Sequence, residues 1–450
     1  MSLELEKDLP LDRTELGLAD KKPLYSAAEA RAEAERCLYC ADAPCIKACP
    51  TEIDIPTFIK KIASGNVVGS ASTIFEQNIL GISCSRVCPV EVLCVGDCVY
   101  NGWHKEPIQI GKLQRFATET AVKTAQNKLF PPPDANAAKN VAVRKIALIG
   151  AGPASLACAA ALAMAGHTCT IFEKRSLPGG LNTTGIAPYK LHVEDALYEV
   201  ALVQSLGVEI KTGVEIGKGV TGQALLTDFD VVYIGVGLGA DSKLKIPGED
   251  GKGVALATVW IEEMKLAASN NAKLAEGFGK VLVIGGGNTA LDVARECALL
   301  GAEDVAMVYR RGRREMSGYT HELDGALKEG VRLVENRQPV SFVHDSHGNL
   351  LGLRVARTAD GRVIPGSEEE IPCDLAVLTI RQSKLSAIAA EFPGVQLDSR
   401  GCVVADSKTG ATGNPKVFAG GDCINGGKEV VNAVANGRDT ARHLISSWGK

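Results

Sequence analysis

The chain has 450 residues, 46% apolar and 23% charged, with 48 glycines and a net charge of −4. That length exceeds what one core serves, so two or three domains are expected; the charge balance gives no footprint for nucleic acid, and no apolar run is long enough to span a bilayer. The first twenty residues are polar and acidic, without an apolar signal core, which makes the cytoplasm the expected compartment.

From the N-terminus, residues 1–140 read as short helices. Ser26 caps an alanine-rich helix predicted over 27–36, and Glu29 stands three residues on, where it can return the bond. Helical periodicity also covers 56–64 and 110–123. The stretch 130–134, Phe-Pro-Pro-Pro-Asp, is a stiff break. Beyond it, strands and helices alternate through glycine turns: a strand over 145–149, a helix over 153–165 and a strand over 168–172. The pattern returns as a strand over 280–284, a helix over 289–300 and a strand over 304–309. A βαβ unit used twice predicts an α/β chain with two doubly wound nucleotide modules. A last strand, near 417–422, runs into another glycine turn.

The cysteines define the first zone. Of fourteen, eight fall between Cys37 and Cys98. They form two runs, Cys37-x2-Cys40-x4-Cys45-x3-Cys49-Pro and Cys84-x3-Cys88-Pro-x4-Cys94-x3-Cys98. Clustered thiols in a reducing compartment indicate metal binding rather than disulfides. The Cys-Pro steps and the spacing approach those of two-cluster ferredoxins, and no histidine stands ready to complete a zinc site. Eight cysteines divide naturally into two sets of four. Cys158, Cys169, Cys297, Cys373, Cys402 and Cys423 are single and read as buried or free thiols. Trp103, beside His104, reads as a core aromatic.

In the first βαβ unit, Gly150 permits a tight turn and Gly152 lets backbone approach a pyrophosphate at the helix N-terminus, with Pro153 and Ala154 opening that helix. Glu173 ends the second strand, where a carboxylate binds a ribose hydroxyl pair. Gly179 and Gly180 follow, and Gly421-Asp422 comes after the last strand; Asp422 reads either as a ribityl ligand or as a helix N-cap. In the second unit the turn is Gly285-Gly286-Gly287-Asn288-Thr289. Its second strand is followed not by an acid but by Arg310, Arg311, Arg313 and Arg314, which favours a 2′-phosphate and therefore NADPH over NADH. Two dinucleotide sites on one chain imply hydride transfer between a nicotinamide and a flavin.

With these pieces together, the chain resembles the N-terminal half of dihydropyrimidine dehydrogenase and the separate flavin/iron–sulfur subunit of its bacterial NAD-dependent form. The glutamate synthase small subunit is a more distant resemblance. The likeness runs from about residue 36 to 441 and is most specific at 37–55, 80–98, 108–116 and 418–427. It implies two [4Fe–4S] clusters, one on Cys37, Cys40, Cys45 and Cys98, the other on Cys49, Cys88, Cys94 and an unusual glutamine at Gln114. Cys84 would then be a free thiol. The resemblance assigns FAD to Gly150, Gly152, Pro153, Ala154, Glu173, Lys174, Gly180, Leu181, Gly421 and Asp422. It assigns NADPH or NADH to Gly286, Gly287, Asn288, Thr289, Arg310 and Arg311. Lys190 stands where the family often has an arginine beside the flavin, and Arg381-Gln382 replaces a glycine-containing turn. The implied architecture is a helical iron–sulfur domain over 1–140, an FAD module over 141–277 completed by 379–450, and an NAD(P)H module over 278–378. The implied activity is the electron-input half of NAD(P)-dependent dihydropyrimidine dehydrogenase. Its FMN/iron–sulfur catalytic subunit would lie on a partner chain, joined as a heterotetramer. The competing reading is the small subunit of a glutamate synthase-like or other flavin-based electron-transfer complex.

Overall fold

The computed structural model describes residues 9–129, 142–239, 241–268, 278–380 and 385–449. The break expected at 130–134 and the pair Arg381-Gln382 lie outside them. The N-terminal zone is helical. Ser26 accepts from the Glu29 backbone N–H while Glu29 bonds back to the Ser26 backbone, so the helix Ala27–Glu35 starts on a full capping box. Pro44 opens the helix Pro44–Ala48, and Asp54 caps Ile55–Ala63 through the Thr57 N–H. That last helix buries Ile55, Phe58, Ile59 and Ile62 on one stripe against Ile74, Leu80 and Leu113.

Two parallel five-stranded sheets follow. The first runs β14-β4-β1-β2-β3, built from β1 (Lys145–Ile149), β2 (Thr168–Phe172), β3 (Glu209–Lys211), β4 (Val231–Ile234) and β14 (Val417–Ala419). Each central strand is apolar on both faces, as a sheet covered twice requires. β14 pairs with β4 from far along the chain, so the first module is discontinuous. The second sheet runs β5-β13-β6-β7-β8, with β5 (Val254–Leu256), β6 (Lys280–Ile284), β7 (Asp304–Val308), β8 (Arg332–Val334) and β13 (Leu375–Leu378). Here the expected division at 277/278 does not coincide with the sheet: β5 precedes it yet pairs with β13 in the second module. A three-residue strand carries too little periodicity to be assigned before its partner is known. An antiparallel sheet of β9 (Arg337–His344), β10 (Leu350–Ala359), β11 (Arg362–Val363) and β12 (Glu369–Pro372) is inserted between β8 and β13.

One apolar core joins the cysteine domain to the first sheet's helices. It runs from Ala30 and Phe58 through Leu113 to Leu156, Leu162, Val434 and Leu444. Arg438, on the C-terminal helix Val430–Trp448, donates from Nη1 to the Thr51 and Gln77 carbonyls, so this helix is pinned beside Cys49. Among the described residues no helix is long and apolar enough to cross a membrane.

Candidate electron-transfer site

Cys37, Cys40, Cys45 and Cys98 line one cavity, walled by Ile55, Pro56, Ile59, Ile108 and Ile110. Cys45 sits on the short Pro44–Ala48 helix, and Cys98 returns from the second run. Burial, then the neighbouring Cys37, Cys98 and Cys40, pushes the Cys45 thiol up to about 12. Burial raises the Cys37 thiol as well, and thiols so held resist ionisation unless a cationic centre draws them down, which is what iron supplies. Among the described residues no three Cys, His, Asp or Glu side chains converge as a site for one ion. The four thiols line one cavity, which fits the iron–sulfur centre that the Cys-Pro spacing calls for.

The second set gathers Cys49, Cys84, Cys88 and Cys94. Burial first, then Cys49 and Cys88, raises the Cys94 thiol well above the usual range. A hydrogen bond with Cys84, one helical turn back, is the largest influence raising Cys88. Gln114 is buried on the helix Ile110–Leu129, and its Nε2 donates to the Gly81 carbonyl at 2.9 Å. That bond leaves Oε1 as the atom able to meet a metal. Gln114 thus leans on the same helix, Gly81–Val87, that carries Cys84. Lys22, which no sequence signal singled out, donates from Nζ to the Cys88 carbonyl at 2.6 Å.

The flavin-side residues converge on the N-terminus of the helix Pro153–Met164. Gly150 has φ +86°, and a Cβ on it would stand 2.8 Å from the Gly235 carbonyl oxygen. A Cβ on Gly180 would meet Gly152 Cα at 2.9 Å, and one on Gly421 would meet Ala154 Cβ at 2.9 Å. Three loops therefore close on one cradle where only glycine fits. Glu173 is buried; Oε2 accepts from Ala151 N at 2.7 Å and Oε1 from Arg175 N at 2.8 Å, which fixes the carboxylate at the end of β2. Asp422 accepts from Lys428 N at 3.0 Å, not from its own helix, and burial raises its carboxyl. Its side chain is thus not acting as the N-cap. The hydroxyls of Ser155 and Tyr233 and the Asn182 amide oxygen are buried without partners, so polar groups remain for a ligand. Lys174 and Leu181 are exposed.

Lys190 does not stand free beside the cradle. Its ammonium bonds Asp292 at 2.5 Å and Glu322 at 3.0 Å, both on the second module. Arg295 and Lys21 join the same group through Glu322. In the second module, Gly286 abuts Tyr309, whose ring would lie 2.7 Å from a Cβ. Asn288 Oδ1 accepts from Tyr319 N at 2.9 Å and steadies the turn that Gly287 and Thr289 flank. The arginines divide. Arg311 lies over the Tyr309 ring, 5.5 Å from its centroid, and Arg313 pairs with Asp324 at 2.5 Å. Arg310 and Arg314 are exposed and have no ion-pair partner among the described residues, so they are the cations left for a phosphate. Trp103, expected in the core, is 56% exposed; it packs edge-on against Tyr100. The six single cysteines are all buried, as expected.

Residues 144–437 match the family described as pyridine nucleotide-disulphide oxidoreductase, and residues 15–126 match dihydropyrimidine dehydrogenase domain II, 4Fe-4S cluster. The chain belongs to this oxidoreductase family, with the iron–sulfur module fused in front. It is 33% identical to the glutamate synthase [NADPH] small chain of Escherichia coli strain K12, over 94% of this chain and 92% of that one. It is also 33% identical to the NAD-dependent dihydropyrimidine dehydrogenase subunit PreT of the same strain, over 95% and 96%. Among solved structures, the thioredoxin reductase of T. acidophilum superposes with a TM-score of 0.56 at 22% identity, covering 68% of this chain and 100% of that one, a likeness of fold alone. The oxidoreductase family fits the two sheets, and the iron–sulfur module fits the thiols that line one cavity. The chain is an NAD(P)H-dependent flavin and iron–sulfur electron-transfer oxidoreductase whose cofactors are FAD, NAD(P)H and [4Fe–4S] clusters.

Proposed function

We propose that this chain is the electron-input subunit of an NAD(P)-dependent dihydropyrimidine dehydrogenase. A partner subunit holding FMN and iron–sulfur clusters would reduce uracil or thymine, the two chains forming a cytoplasmic heterotetramer. The observation that carries the reading is Gln114: a buried glutamine, held by its nitrogen against the helix Gly81–Val87 that carries Cys84, is where the resemblance requires an oxygen ligand. On this reading Cys37, Cys40, Cys45 and Cys98 hold one cluster, and Cys49, Cys88, Cys94 and Gln114 hold the other. The 1–140 domain carries both clusters, and FAD lies on the module formed by β1–β4 and β14.

When bound, FAD would supply two-electron chemistry toward the nicotinamide and the clusters one-electron carriage. The chain's own residues do the rest. The glycine loops admit the pyrophosphate to the Pro153 helix N-terminus. Glu173 orients a ribose, and Arg310 and Arg314 attract a 2′-phosphate. The isoleucine walls of the first cavity set apolar surface around its thiols.

A second reading is favoured by the 33% identity to a glutamate synthase small chain over 92% of its length. The two separate by partner. The chain, purified anaerobically and mixed with an FMN/iron–sulfur subunit, should support NAD(P)H-dependent loss of uracil absorbance. Glutamate formation with a glutamate synthase large chain, and no pyrimidine turnover, would replace the first reading by the second.

A further inference from the structure

The two cysteine sets differ in their surroundings. The first is walled by aliphatic side chains and prolines. The second has an ammonium against it. Lys22 Nζ donates to the Cys88 carbonyl at 2.6 Å. On its other side lies Gly111, three residues before Gln114; a Cβ added there would stand 3.8 Å from the same Nζ. The Lys22 charge also acts on Cys94. It is therefore held between the cysteine helix and the helix that carries Gln114.

Its pairing is as telling as its place. The preceding Lys21 pairs with Glu322. Lys22 is partly buried, and burial pulls its ammonium below the usual range; among the described residues no carboxylate pairs with it, Glu91 being the one whose charge reaches it from farther off. An ammonium withdrawn from water without an anion is destabilising. Once Cys88 and Cys94 are thiolates on a cluster, the anion is present. A cation beside a cluster favours the form with one more electron, because net charge and hydrogen bonding near the sulfurs set the potential.

We propose that Lys22 is a positioning residue of the electron path: its ammonium, held against Cys88, raises the reduction potential of the second cluster. The proposal rests on Cys88 and Cys94 serving one cluster and is indifferent to the partner's substrate. The electron comes from FAD reduced by NAD(P)H, and no proton or bond is exchanged at Lys22.

The test is a potentiometric titration followed by electron paramagnetic resonance, on anaerobic full-length protein. Wild type is compared with Lys22→Met, Lys22→Gln and Lys22→Arg, and the second cluster's signal is identified as the one altered in Cys94→Ser. Met and Gln should lower that cluster's equilibrium constant for reduction at least tenfold, about 59 mV for one electron. The first cluster should not move, and Arg should stay near wild type. Wild-type potentials in the Met variant overturn the proposal. So does an unshifted Gln variant, which would assign the effect to the bond with the Cys88 carbonyl rather than to charge. If Met purifies without the second cluster, the Gln and Arg variants decide in the same way. Wild-type protein lacking two titrating clusters would overturn the cluster assignment itself, and is distinguishable by iron and sulfide content.

Discussion

Gly437 offers the most direct test of how packing builds the flavin site. It lies inside the helix Val430–Trp448, where glycine is unfavourable by about 1 kcal/mol relative to alanine. On propensity alone, Gly437→Ala should stabilise the chain. The structure predicts the reverse. A Cβ there would stand 2.0 Å from the Ala154 carbonyl oxygen, 2.9 Å from its carbon and 3.1 Å from Cys158 N, all backbone atoms that no rotamer change can move. Relieving the contact needs the two helices to part by about 1 Å, and Ala154 stands in the first turn of the helix that faces the pyrophosphate. Overpacking of this kind costs about 1–3 kcal/mol. Delivered to the cradle, that weakens FAD binding roughly 5- to 150-fold. The assay is FAD retention on dialysis and the Kd from flavin fluorescence, with the melting temperature measured beside it. A Gly437→Ala protein that binds FAD like wild type and melts no lower would refute the argument that this helix contact sets the cradle.

Other perturbations probe the remaining sites. Arg310→Ala combined with Arg314→Ala should raise KM for NADPH about 10- to 100-fold through lost charge-assisted bonds, with KM for NADH nearly unchanged, in a dye-reduction assay; equal effects on both cofactors would place the 2′-phosphate elsewhere. Cys84→Ser should retain the wild-type iron and sulfide, whereas Gln114→Leu should alter the second cluster's resonance signal; the opposite pattern would return the fourth position to Cys84. Glu199 is buried and caps the cysteine helix through the Ile82 and Ser83 backbone N–H groups, and burial raises its carboxyl from 4.5 to about 8. Folding therefore takes up a proton between those values, so this group's contribution to stability is complete below about 4.5 and is lost as pH rises through about 8. Glu199→Gln removes that titration. From pH 6 to 8.5 wild type should lose up to ~1.4 kcal/mol per unit relative to the variant in urea unfolding, and parallel pH profiles would show that Glu199 ionises normally.

What could be read from the sequence was what is local. The turns at Gly150 and Gly285 need positive φ, and the helices that follow need an anion-facing N-terminus; both demands are written in adjacent residues. The Ser26–Glu29 box is local too, and it formed. The two cysteine runs declared a cluster domain through spacing alone. The strand β5 was missed because three residues carry no period until β13 lies beside them. The antiparallel β9–β12 sheet was not legible because β10 lacks a clean alternation of buried and exposed residues, its register with β9 shifting at Leu350/Gly352 and Arg354/Val355. Lys190 was assigned by position in a family, while the structure engages it with Asp292 and Glu322 across a module boundary. Gly437 did carry a signal, an isolated glycine in a helical run, but its partner Ala154 lies far back in the chain.

These non-local features divide the molecule by the kind of joint it uses. The cysteine domain and the flavin module share one continuous apolar core and are pinned further by Arg438 and Glu199. The second sheet's two cores are built from residues between 244 and 380. Across the boundary to the rest lie the charged group Lys21, Lys190, Asp292, Arg295 and Glu322, the Tyr319–Glu429 bond, and one small apolar contact of Leu266 with Val193, Leu197 and Ala201. An apolar joint cannot open without exposing its core, which suits a flavin and clusters whose spacing must stay fixed for single-electron steps. Charged groups regain hydration when they part, so a joint made of them opens at smaller loss. A joint rich in such groups is what the proposed function needs beside a cofactor that must enter, meet the flavin and leave in every turnover, on the side which that proposal gives to the nicotinamide.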